Sequence, residues 1–176
     1  MALAFRNVDA TPQDDVTTWP YEAIVTTLER GLVSDWQPLL VEIRRSPWGV
    51  VARKIERLLS YESIQGVGPL FTRAIAEARD AAERRDREEV AQRVRAAVAD
   101  SGLTAAKFAA DAGTSGSRLS TYMNGKVTPS AAMLVRIERV SAEYRSIHET
   151  AHLLRAPANA ERLRESLAQA RGDQAS

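Results

Sequence analysis

Apolar residues recur at helical spacing through most of the chain. Trp19, Ile24 and Leu28 share one side of a predicted helix Trp19–Arg30 that ends at Gly31. Ser34 is placed to cap Asp35–Arg45, with Trp36, Leu39, Leu40 and Ile43 inward. Pro47-Trp48-Gly49 breaks the pattern, and Val50–Tyr61 resumes it with Val51, Ile55, Leu58 and Leu59. Ser63–Pro69 reads as a glycine-rich loop. From Leu70 the stripe Leu70, Phe71, Ala74, Ile75, Ala78 leads into ARDAAERRDREEVAQRVR, a strong helix former whose mixed charges predict a solvated face. Val90, Val94, Ala97 and Val98 are its expected inward residues.

Residues 103–130, LTAAKFAADAGTSGSRLSTYMNGKVTPS, carry the most information. Thr104 can cap Ala105–Ala112, whose inward stripe is Phe108, Ala109 and Ala112. Gly113 is a natural left-handed stop. Ser115 can cap a second short helix, Gly116–Met123, with Leu119, Tyr122 and Met123 inward. Gly116, Ser117, Arg118, Ser120 and Thr121 are then left pointing out. Asn124-Gly125 signals a turn, Lys126 beside it can meet a phosphate, and Pro129-Ser130 opens a helix carrying Met133, Leu134, Ile137 and Val140. Two short helices about a tight turn, the second with a small polar face, form a helix-turn-helix; in such a unit the second helix enters the DNA major groove. Small residues allow close approach there, and an arginine can grip guanine O6 and N7 with two bonds.

The stretch resembles the lambda-repressor-like (Xre) helix-turn-helix family over roughly residues 88–145. The resemblance is carried by GLT at Gly102–Thr104, GTS at Gly113–Ser115, STYMNGK at Ser120–Lys126 and PS at Pro129–Ser130. Ala105 departs from it, standing where many members have glutamine. The resemblance implies base reading by Ser117, Arg118 and Thr121, with Ser115, Asn124 and Lys126 on the DNA backbone. With the cap Thr104 and the close-approach position Gly116, the expected DNA-binding set is Thr104, Ser115, Gly116, Ser117, Arg118, Thr121, Asn124 and Lys126.

Composition narrows the class. The 176 residues are 44% hydrophobic and only 6% aromatic, and alanine, arginine, leucine and glutamate dominate, so an all-α protein is expected. With no cysteine, disulfides and zinc-thiolate fingers are excluded. The N-terminus lacks a signal-peptide pattern, and no apolar run approaches the ~20 residues of a membrane span. A cytoplasmic protein with no membrane partner is the expectation. The formal net charge is +1, yet Leu103–Arg139 holds five basic residues (Lys107, Arg118, Lys126, Arg136, Arg139) against two acidic ones (Asp111, Glu138). Because phosphate contacts supply much of a DNA binder's affinity, so small an excess favours two headpieces acting together, as in a homodimer.

The C-terminal segment admits three readings. His148-Glu149-Thr150-Ala151-His152 matches H-E-x-x-H, which on a helix could hold zinc. A catalytic site also needs a third ligand and a dry, supported cleft, and the polar, alanine-rich residues after His152 offer neither. No metal, cofactor or catalytic residue is therefore expected. Residues 148–167, HETAHLLRAPANAERLRESL, resemble instead the toxin-binding part of Phd/YefM-type antitoxins, through Glu149, Thr150, Leu153, Leu154, Pro157, Ala158, Asn159, Arg162 and Leu163, with Ala156 in place of the usual serine. That resemblance implies a RelE/YoeB-like toxin as partner, held by Leu153, Leu154, Arg155, Pro157, Asn159, Arg162 and Leu163. The third reading is an ordinary tail packed on the protein's own surface.

The expected architecture is a flexible N-terminus (1–17), an N-terminal helical domain of unassigned role (18–85), a helix-turn-helix domain (86–146) reached through a long charged helix, and a helical C-terminal tail (147–176). The expected function is sequence-specific DNA binding by a transcriptional regulator that is the antitoxin and autorepressor of a type II toxin–antitoxin operon. The alternative is a phage-type or housekeeping repressor with no toxin partner.

Overall fold

A computed structural model describes residues 3–5, 8–62, 64, 66–155 and 162. Among them are seven helices and no strand: α1 (Tyr21–Arg30), α2 (Val33–Arg45), α3 (Val50–Tyr61), α4 (Val67–Asp100), α5 (Ala105–Asp111), α6 (Gly116–Met123) and α7 (Ala131–Arg155). The all-α expectation holds. The chain divides into two compact units, Met1–Asp86 and Arg87–Ser176, and α4 supplies residues to both.

The first unit is built on the predicted stripes, except that Leu70, expected inward, is exposed. Trp19, Ile24, Leu28, Leu39, Ile43, Val51, Ile55, Leu58, Phe71 and Ile75 are all buried in one cluster. Both buried or half-buried indoles find acceptors, Trp19 Nε1 donating to the Asp14 carbonyl (3.1 Å) and Trp36 Nε1 to the Thr27 carbonyl (2.9 Å). Arg79 ties α4 to α3 by a two-pronged bond to Glu56 (2.6 and 2.8 Å) and donates to the Pro47 carbonyl at 3.1 Å.

Several boundaries differ from the sequence reading, each for a local reason. Proline at position 20 disfavours helix at Trp19, so α1 starts at Tyr21 with Pro20 extended at its N-cap (ψ 165°). α2 starts at Val33, before the expected cap Ser34, because the Asp35 carboxylate accepts from the Leu32 N–H at 2.8 Å. Gly68 and Pro69, expected in a loop, form the first turn of α4, where proline's missing N–H leaves no bond unmade. The N-terminal stretch expected to be loose contributes to the core: Val16 is buried, and Phe5 meets the Trp19 ring edge-on at 5.1 Å.

The second unit encloses Val94 and Ala97 of α4, Phe108 and Ala109 of α5 with its C-cap Ala112, Leu119 and Tyr122 of α6, and Met133, Ile137 and Val140 of α7. Val90 and Val98 are only half-buried, and Ala91, inside the charged run, is buried instead. Tyr144 donates to Asp111 at 2.8 Å, and Lys107 bonds the same carboxylate at 2.9 Å while lying over the Tyr144 ring. α5 and α7 are thereby joined at the surface as well as in the core.

Candidate nucleic-acid interface

The turn between α5 and α6 is fixed by two serine or threonine caps and a glycine. Thr104 Oγ1 accepts from the Lys107 N–H at 3.4 Å, opening α5. At its end, the Gly113 N–H bonds the Ala110 carbonyl (3.0 Å) and the Thr114 N–H bonds the Ala109 carbonyl (2.9 Å), the paired closure that requires a left-handed residue. Gly113 supplies it, with φ +71°. Ser115 Oγ then accepts from the Arg118 N–H at 3.2 Å and starts α6. The same closure ends α6: Gly125 (φ +66°) donates to Tyr122 and Lys126 to Thr121, both at 3.1 Å.

These constraints decide which face α6 shows. Leu119 and Tyr122 are 1% and 4% exposed and seal the helix onto the core. Gly116, Ser117, Arg118 and Ser120 are exposed on the opposite side, and Thr121 is half-buried at its margin. The Thr121 hydroxyl donates back to the Arg118 carbonyl at 2.7 Å, so toward a base it has only lone pairs to offer. Ser117 Oγ lies 3.1 Å from Ser115 Oγ. Among the described residues the Arg118 guanidinium has neither hydrogen bond nor ion pair, and nothing lies within 4 Å of where a Cβ on Gly116 would sit. Asn124 and Lys126 are exposed just past the C-terminus of α6, Asn124 Nδ2 reaching Ser120 Oγ at 3.4 Å. Thr104 is exposed at the start of α5.

The predicted positive patch is partly neutralised within the protein. Lys107 is held by Asp111, and their hydrogen bond, with the Tyr144 hydroxyl assisting, raises the lysine above its ordinary pKa and lowers the aspartate below its own. Glu138 is taken by Arg93. Arg118 and Lys126 have no side-chain partner among the described residues, and neither has Arg136, whose Nη1 lies 3.2 Å from where a Cβ on Gly113 would sit.

Sequence reasoning missed two things here. One is the Lys107–Asp111–Tyr144 cluster; the four-residue spacing of Lys107 and Asp111 signalled the first pair, but nothing local pointed to Tyr144. The other is Arg95, which donates to the Met123 carbonyl at the end of α6 (2.5 Å) and to Glu88 (2.5 Å).

In the C-terminal segment, Leu153, Leu154 and Arg155 form the last residues of α7, and Arg162 is exposed. Pro157, Asn159 and Leu163, also expected to touch a partner, lie outside the described residues. His148 is exposed and its Nε2 is 3.2 Å from where a Cβ on Gly102 would sit; no group of three potential metal ligands occurs among the described residues. No described helix is long and apolar enough to cross a membrane.

No curated protein and no solved structure matches the chain. Residues 71–142 match the family model of a helix-turn-helix domain, and the caps, glycine closures and buried stripes just described are the structure of that match. The chain carries a helix-turn-helix domain, the module of DNA-binding regulators.

Proposed function

We propose that the chain is a sequence-specific transcriptional regulator of the lambda-repressor-like type that places α6 in the major groove of an operator. Ser117, Arg118 and Thr121 face base edges, with Gly116 allowing close approach. Thr104, Ser115, Asn124 and Lys126 hold the sugar-phosphate backbone. The observation that carries this reading is Arg118: an exposed guanidinium with no partner among the described residues, on a helix pinned from behind by Leu119 and Tyr122. Such a fork is available for two bonds to guanine at no cost to the fold. Two protomers joined as a homodimer would read half-sites about 34–36 Å apart.

Residues 148–167 supply the second part of the proposal: they bind a small RelE/YoeB-like toxin, and the chain is the antitoxin and autorepressor of that operon. The support is the antitoxin-like pattern from Glu149 to Leu163.

Selection of duplexes from a random pool with the full-length protein tests the first part. A single enriched motif, bound in a gel shift with an inverted repeat, is the expected result; recovery of unrelated sequences would reject base reading. For the second part, the product of the neighbouring gene is expressed alone and with this chain. Growth arrest relieved by the full chain, but not by one ending at Ser146, is expected. A harmless neighbour would leave the regulator as a phage-type or housekeeping repressor without a toxin.

A further inference from the structure

The last four carbonyls of a helix have no partner within it. In α6 these belong to Ser120, Thr121, Tyr122 and Met123. Ser120 accepts from the Asn124 N–H (3.1 Å), Thr121 from Lys126 and Val127 (3.1 and 3.3 Å), and Tyr122 from Gly125 (3.1 Å). All three are local closures. The Met123 carbonyl is satisfied differently, by Nη1 of Arg95 on α4 at 2.5 Å. Arg95 is in turn held by Glu88, one turn pair earlier on α4, whose Oε1 accepts from Nη2 at 2.5 Å. The turn that follows lies against the same surface: a Cβ on Gly125 would come 3.7 Å from the Ala91 Cβ and 4.0 Å from Glu88 Oε2.

We infer that Arg95, oriented by Glu88, is a positioning residue for DNA recognition: it locks the C-terminal end of α6 and the Asn124–Lys126 turn onto α4. The inference rests on the proposed role of α6. A guanidinium suits the task because its planar fork serves two acceptors in fixed directions, and its charge favours the negative end of the helix dipole. Leu119 and Tyr122 pin the middle of this eight-residue helix from behind and the Ser115 hydroxyl caps its start, so Arg95 supplies the side-chain tie at its C-terminal end. Small errors of tilt move Arg118 and Lys126 relative to each other, and base reading requires both in register. Arg95 thus determines specificity without touching a base.

The test compares full-length wild type with Arg95→Met, Arg95→Lys and Glu88→Gln. Binding is measured on the selected duplex and on an unrelated one across a salt series, and amide hydrogen exchange is measured without DNA. Both Arg95 variants are expected to lose about tenfold in preference for the selected duplex, while the slope of log K against log salt stays at the wild-type value. Protection of the Asn124–Val127 amides should fall about tenfold in both, with α5 unchanged. Glu88→Gln, which still accepts a bond from Arg95, should lie between these variants and wild type. Equal loss on every duplex with a slope shallower by about one would make Arg95 a phosphate contact and overturn the inference. Full rescue by Arg95→Lys would also overturn it, since charge alone would then suffice. So would unchanged protection at Asn124–Val127, whatever the DNA result. If wild type shows no sequence preference but Arg95→Met frees those amides, base reading by α6 fails while the anchoring of α6 by Arg95 stands.

Discussion

Replacing Arg118 by alanine separates the fold from its use. The side chain is exposed and has no hydrogen bond or ion pair among the described residues, so its removal leaves no orphaned partner. Alanine is at least as good a helix former at this position, so stability should change by less than about 0.5 kcal/mol. Its backbone N–H, which Ser115 Oγ caps, is retained. Binding should respond very differently. A two-pronged arginine–guanine contact is worth about 1–3 kcal/mol of discrimination at one base pair, or roughly 5- to 160-fold. The assay is equilibrium binding of wild type and Arg118→Ala to every single-base-pair variant of a selected half-site, alongside thermal melts. Wild type should show a steep penalty for replacing one G·C pair, and the variant should be indifferent at that position while retaining its other preferences. An even loss across all positions, or a melting temperature several degrees lower, would refute the reasoning: the first makes Arg118 a phosphate contact, the second a structural residue.

Three further outcomes follow from the same geometry. Lys126→Ala should weaken binding to all duplexes alike and reduce the salt slope by about one, as read from filter-binding titrations. Gly113→Ala forces a Cβ into φ +71° and should destabilise by about 1–2 kcal/mol; in a domain of this size each kcal/mol lowers the melting temperature by about 4–8 °C, whereas Gly116→Ala, at an ordinary φ with open space around it, should be near neutral in the same melt. Asp111 has its pKa lowered first by the hydrogen bond from Lys107 and then by that from Tyr144; its contribution is present above the unfolded carboxylate pKa and lost as pH falls through the lower folded one. Asp111→Asn should therefore flatten the acid limb of a stability–pH profile, and an unchanged limb would show that the cluster contributes nothing.

How far the sequence revealed this molecule depended on how local the determining physics was. Helix-turn-helix geometry rests on caps and glycines within a few residues of one another, so Thr104, Gly113, Ser115 and Gly125 were legible as letters. The hydrophobic stripes were legible for the same reason, except that Leu70 is exposed, Val90 and Val98 are only half-buried, and Ala91 is buried in a charged run where alanine has no periodic signature of its own. Boundaries failed where one residue acted out of pattern: Asp35 reaching back to Leu32, or Pro69 fitting a first turn. Contacts between segments distant in sequence were invisible. Arg95 is 28 residues from the carbonyl it caps and Tyr144 is 33 from Asp111, and in both cases only folding makes the pair.

The most direct test uses the absence of cysteine from the chain. Ser117→Cys gives a single thiol on the outward face of α6, to which an iron chelate that cleaves nearby DNA can be attached; the cysteine-free wild type treated with the same reagent serves as control. If α6 occupies the major groove, the Ser117 conjugate bound to its selected duplex will cut both strands within each half-site, in the offset pattern of a major-groove source, and the control will not. Absence of cleavage from the Ser117 conjugate in a complex that still forms, or cleavage confined to a minor-groove pattern, would contradict the account.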